Sequence, residues 1–159
     1  MKKIFTFATL LILAQGILLA QEGKTVSESS VTPRYVQDFQ RQQKNVKDVS
    51  WQKIDSTTFE AIFTNADGEL QGMRFSPKGT EDRYYIDPQY TPQFMKDTID
   101  HMFNGYTIKQ VYVKIAKRKS TYHARICKRS GFLFWKKDKD PKVLNFETAT
   151  GKYIDYTNE

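Results

Sequence analysis

Four short segments occur twice along this chain in the same order, and that recurrence constrains the fold more than any other feature. Thr32-Pro33-Arg34-Tyr35-Val36-Gln37-Asp38 is echoed by Thr91-Pro92-Gln93-Phe94-Met95-Lys96-Asp97. Val46-Lys47-Asp48-Val49-Ser50-Trp51 is echoed by Ile108-Lys109-Gln110-Val111-Tyr112-Val113, Thr58-Phe59-Glu60-Ala61 by Thr121-Tyr122-His123-Ala124, and Tyr85-Ile86-Asp87 by Tyr153-Ile154-Asp155. The offset between partners grows from 59 to 68 residues, as it does when a duplicated unit acquires loops of different length.

Each copy opens as a helix. Thr followed by Pro reads as N-cap then first helical position, where a hydroxyl accepts an orphan backbone N–H and the ring occupies a site whose N–H needs no partner. In the second copy Phe94, Met95, Ile99, Met102 and Phe103 form one apolar stripe, and Asn104-Gly105 ends it. The first stripe is shorter, with Tyr35, Val36 and Phe39. Strand alternation follows. Val111, Val113 and Ile115 share one parity, as do Tyr122, Ala124 and Ile126, and in the first copy Phe59, Ala61 and Phe63. Asn65-Ala66-Asp67-Gly68 and Pro77-Lys78-Gly79 are turns. The expected fold class is therefore α+β, two tandem duplicated αββββ units at 31–90 and 91–159. Each is expected as an antiparallel sheet with a helix on one face and the other face open.

The first twenty residues stand outside this plan. Lys2 and Lys3 precede an apolar run from Ile4 to Leu19, and small Ala20 follows, the order of a secretory signal peptide. Gln15 and Gly16 interrupt a run shorter than the roughly 20 residues a bilayer span needs. The expectation is cleavage after Ala20, no stable membrane insertion afterwards, a periplasmic or extracellular location, and a flexible polar leader over 21–30. With one cysteine, Cys127, no internal disulfide can form, so packing must hold the fold.

Charge is unevenly spread. The chain carries +7 in all, yet residues 21–100 hold 10 Lys/Arg against 13 Asp/Glu. Residues 101–137 hold 10 Lys/Arg and no carboxylate. A single-sign block of this kind steers an acidic partner toward one surface. Catalytic chemistry is scarce by comparison. Two histidines, one cysteine and no clustered ligand spacing argue against a metal site, and no GxGxxG, P-loop or GxSxG occurs. His123 and Cys127 would lie about 13 Å apart on a strand, too far for a thiolate–imidazole pair. The chain thus reads as non-catalytic and free of cofactors.

Phe39-Gln-Arg-Gln-Gln-Lys-Asn-Val-Lys-Asp-Val49-Ser-Trp51, followed by Thr58-Phe59-Glu60-Ala61-Ile62-Phe63, resembles the PepSY-like family, related in fold to beta-lactamase inhibitor protein. The family's usual helix-to-strand junction carries Tyr-Pro where this chain has Gln43-Lys44, and the likeness runs over about residues 31–156. It implies an exported protein of the kind common in Bacteroidetes. It also implies a tandem αββββ scaffold whose open sheet face recognises a partner without catalysis, with inhibition of a hydrolase or peptidase as one role.

Parity places Tyr112, Lys114, His123 and Arg125 on the face expected to be open and basic. Lys128, Arg129, Lys136 and Lys137 continue the positive block around Phe132, Phe134 and Trp135, inside a stretch that is eight residues longer than its counterpart in the first copy. These eleven residues are the candidate partner contacts, with aromatics ringed by cations as at binding hot spots. An acidic protein surface is the partner the composition fits best. An anionic polysaccharide also fits the charge, and export disfavours nucleic acid. Two other readings stay open: a solvated sheet face in a structural envelope protein, and a small envelope enzyme with a cleft between the copies.

Overall fold

The computed structural model describes residues 23–130 and 137–158. The signal-peptide reading of 1–20 lies outside them, as do Phe132, Phe134, Trp135 and Lys136. Among the described residues, nine strands form one antiparallel sheet in chain order. They are β1 (Lys24–Val26), β2 (Lys47–Lys53), β3 (Phe59–Thr64), β4 (Leu70–Ser76), β5 (Gly79–Ile86), β6 (Tyr106–Ala116), β7 (Lys119–Ser130), β8 (Lys137–Glu147) and β9 (Tyr153–Asn158). Two ten-residue helices interrupt the series, α1 (Pro33–Gln42) before β2 and α2 (Gln93–Met102) before β6. No described helix is long and apolar enough to cross a membrane.

The expected α+β fold of tandem αββββ units, each with its own sheet, is corrected here: the molecule is mainly β, one continuous sheet with two short helices. The joint is the β5–β6 pair, where Asp82, Arg83, Tyr84, Tyr85 and Ile86 face Ile115, Lys114, Val113, Tyr112 and Val111. An edge strand presents unpaired N–H and C=O groups, and joining β5 to β6 satisfies two such edges at once.

Register puts both helices on the same face. Phe39 of α1 meets Trp51 and Phe63 edge-on, at ring distances of 5.5 and 5.2 Å, above Ala61, Met73 and Phe75. Met95 and Ile99 of α2 pack with Phe103 on Val111, Ala124, Ile126, Leu144 and Phe146. Met102, expected in that stripe, is 54% exposed. Thr32 does precede Pro33 as N-cap, although its hydroxyl makes no capping bond. In the second helix the N-cap is Pro92, and the Thr91 hydroxyl instead donates to Pro88 O of the preceding 3-10 turn, at 2.6 Å.

Turn chemistry closes the hairpins. Between β2 and β3, Asp55 Oδ1 accepts from the backbone N–H of Thr57 at 2.7 Å and of Thr58 at 2.9 Å. These bonds, the Thr57 N–H foremost, lower its carboxyl from 3.8 to about 2. A depressed folded value means the stabilisation is complete above pH 3.8 and is lost as pH falls through about 2. Carboxyl titration followed by NMR should place the Asp55 midpoint near 2, and Asp55→Ala should flatten the acid limb of stability between those two values. A midpoint at the ordinary aspartate value would mean the turn is open in solution.

Left-handed backbone falls on Gly68, Gly79, Gly105 and Gly151, and on Asn45, Asp48 and Asp140. These are residue types that adopt it at low cost. Lys117 and Arg118, between β6 and β7, are the described exceptions, with φ of 49° and 64°. Each carries about 1–2 kcal/mol of steric cost there.

Candidate functional site

The face opposite the helices is organised by direct cross-strand partners. One row runs Gly72, Arg83, Lys114, Thr121 and Glu147 across β4 to β8. The next runs Tyr85, Tyr112, His123, Asn145 and Asp155 across β5 to β9. Gln52, Glu60 and Arg74 form the matching row on β2 to β4.

Glu60 is the hub of the first half. It is 2% exposed, and its Oε2 accepts from Arg74 Nε at 3.0 Å and Nη2 at 2.6 Å. Its Oε1 accepts from the Tyr85 hydroxyl at 2.6 Å and lies 3.6 Å from Arg83 Nε. A buried carboxylate needs such donors, because an ion removed from water must be compensated locally. Gly72 makes the space: a Cβ there would sit 2.8 Å from Glu60 Oε1 and 3.0 Å from the Tyr85 ring.

The network continues into the second half through rings. The Arg83 guanidinium lies 4.5 Å above the Tyr112 ring, and the Tyr112 and His123 rings stack at 4.9 Å with an interplanar angle of 4°. His123 Nε2 and Thr121 Oγ1 are 2.7 Å apart. Arg74, Arg83, Lys114 and Arg125 share this face with Glu60, with Glu81 directly opposite Arg74, and with Glu147 and Asp155 at the β8–β9 end of the two rows, so its cations gather on β4 to β7 with carboxylates on either side.

The predicted contacts divide. Lys114 and Arg125 lie on this face, half-buried. Tyr112 and His123 share it, but at 3% and 6% exposure they are not the bare side chains expected, because they pack ring on ring within the sheet's own polar layer. Lys128 is on the helix side, opposite Tyr106, with its ammonium 5.0 Å from that ring. There it belongs to another group, in which Asp140 accepts from the Tyr106 hydroxyl and from Lys142 Nζ at 2.9 Å. Arg129 pairs with Asp138 and Ser130 with Lys137 in the β7–β8 ladder, so part of the extra length is spent extending that hairpin. Cys127 is buried and forms no disulfide.

Sequence reasoning missed Arg74, Arg83 and Tyr85. A signal for Arg74 was present: folding the chain back at Asn65–Gly68 sets it opposite Glu60. Arg83 and Tyr85 reach the second half through the β5–β6 joint, which no local pattern announces.

A separate cavity of about 660 Å³ is lined by Leu70, Tyr84, Tyr85, Ile86, Pro88 and Tyr90. Its carboxylates are already engaged, Glu69 with Asn65 at 3.1 Å and Asp87 with the N–H of Gln89 at 2.9 Å.

The chain shares its fold with the solved structure of a DUF2874 family protein from Bacteroides ovatus ATCC 8483. The TM-score is 0.55 at 12% identity, over 81% of this chain and 88% of that one. No family model and no curated protein matches the chain.

Proposed function

We propose that this chain is an exported, non-catalytic binding module of PepSY-like type, related in fold to beta-lactamase inhibitor protein. It captures an acidic protein surface on the sheet face opposite the helices. The observation that carries this reading is the charge placed there. Arg83 and Lys114 are direct cross-strand neighbours, an arrangement that is unfavourable unless negative charge lies close by. Glu60 supplies one such charge, and Arg74 is matched by Glu60 and by Glu81 opposite it, while Arg125 extends the cations on β7. Cations clustered in this way on β5 to β7 favour a partner that brings carboxylates of its own, and steer it during encounter. The resemblance to PepSY-like proteins suggests a hydrolase or peptidase in that role, and the apolar run at residues 4–19 suggests meeting it outside the cytoplasm.

The test is affinity capture from envelope extract, followed by direct binding of the captured protein in purified form. Lys114→Gln with Arg125→Gln should weaken that binding about tenfold at low salt and flatten its salt dependence. Binding indifferent to both salt and these substitutions would refute the reading.

A further inference from the structure

We infer that the β6–β7 hairpin tip, Lys117-Arg118, is a dedicated contact element for clustered carboxylates on a protein partner. The inference rests on the acidic-partner reading and adds a site that reading does not contain.

The tip is a two-residue turn, closed by the Ala116–Lys119 pair, with both central residues at positive φ. A two-residue hairpin connection with this backbone strongly favours Asn-Gly, Asp-Gly or Gly-Gly, because a Cβ is crowded there. Elsewhere this chain follows that rule: every other described residue at positive φ is Gly, Asn or Asp. The sequence therefore has the cheap residues available and departs from them at one turn, where it sets two long cations followed by a third, Lys119. All three are exposed, and none forms an ion pair, side-chain hydrogen bond or ring contact with a described residue. No contact with a described residue accounts for the strained choice, and strain retained in a fixed element points to function.

The geometry also bears on the partner's chemistry. The arginine's planar fork matches the paired oxygens of a carboxylate, the group that a polyglutamate chain and an acidic protein surface both present. The tip is continuous with the basic face, since Lys114 lies three residues before Lys117 on the same hairpin.

The experiment uses the full chain and poly-L-glutamate as probe, with a sulfated polysaccharide of matched charge beside it. Lys117→Asn/Arg118→Gly should raise the thermal midpoint by about 3–8 °C through relief of the turn. The same variant should weaken polyglutamate binding about tenfold. Lys117→Gln/Arg118→Gln, which keeps the strain and removes the charge, should weaken binding equally and leave the midpoint where it was. If both tip variants bind as the parent does while Lys114→Gln/Arg125→Gln does not, the tip is no contact and the face stands alone. An unchanged midpoint for the Asn-Gly variant removes the strain on which the inference depends. A parent chain that ignores polyglutamate sinks the acidic-partner reading and this inference with it. Preference for the polysaccharide overturns the assignment to a protein partner.

Discussion

Glu60→Ala is expected to destabilise the protein by about 3–5 kcal/mol, the cost of removing one member of a buried ion pair and leaving the other uncompensated. Two guanidinium groups lose their shared carboxylate at once: Arg74, which holds Oε2 through two donors, and Arg83, only 4% exposed, beside Oε1. The Tyr85 hydroxyl loses its 2.6 Å acceptor as well. Glu60→Gln keeps the shape and one acceptor oxygen, so its loss should be smaller. Equilibrium denaturation reads both. A loss under about 1 kcal/mol for Glu60→Ala would put the network in the class of exposed surface pairs and contradict its burial. Gly72→Ala offers an orthogonal check, because the added methyl would arrive 2.8 Å from Glu60 Oε1 without altering any charge.

Phe39→Ala and Phe146→Ala should each cost about 3–5 kcal/mol, the usual range for emptying an aromatic site in a closed core. Phe39 fills the gap between α1 and the Trp51–Phe63 surface, while Phe146 is gripped edge-on by Phe94 and Tyr153 at 5.7 and 5.8 Å. The two belong to separate clusters with no shared partner, so their costs should add in the double variant. The more informative outcome is cooperativity. The β5–β6 ladder makes one sheet of the whole, so either lesion should lower a single thermal transition monitored at both ends. Two transitions, each moved by only its own lesion, would mean that the ladder is too weak to couple the halves.

Much of the local structure was legible in the residues alone. Thr32-Pro33 announced α1, and Asn104-Gly105 its counterpart's end. The alternation of Val111 with Tyr112 and of Ala124 with His123 separated the two faces of β6 and β7, because side-chain parity in a strand is a property of the chain itself. Lys114 and Arg125 were assigned to the face opposite the helices on that ground, and they lie there.

What tertiary structure decided is everything that depends on which strand lies beside which. The pairing of β5 with β6 turned two expected sheets into one, because an edge's free hydrogen-bonding groups carry no mark of the strand that will satisfy them. The same pairing brought Arg83 over Tyr112 and so tied Glu60 to the stacked Tyr112–His123 rings, burying side chains whose parity alone would leave them facing water. Lys128 shares the parity of Ala124 and Ile126, so its place on the helix side follows from alternation alone, and only its contact with Tyr106 was set by register across the ladder. Periodicity is written residue by residue; neighbourhood exists only once the strands have met.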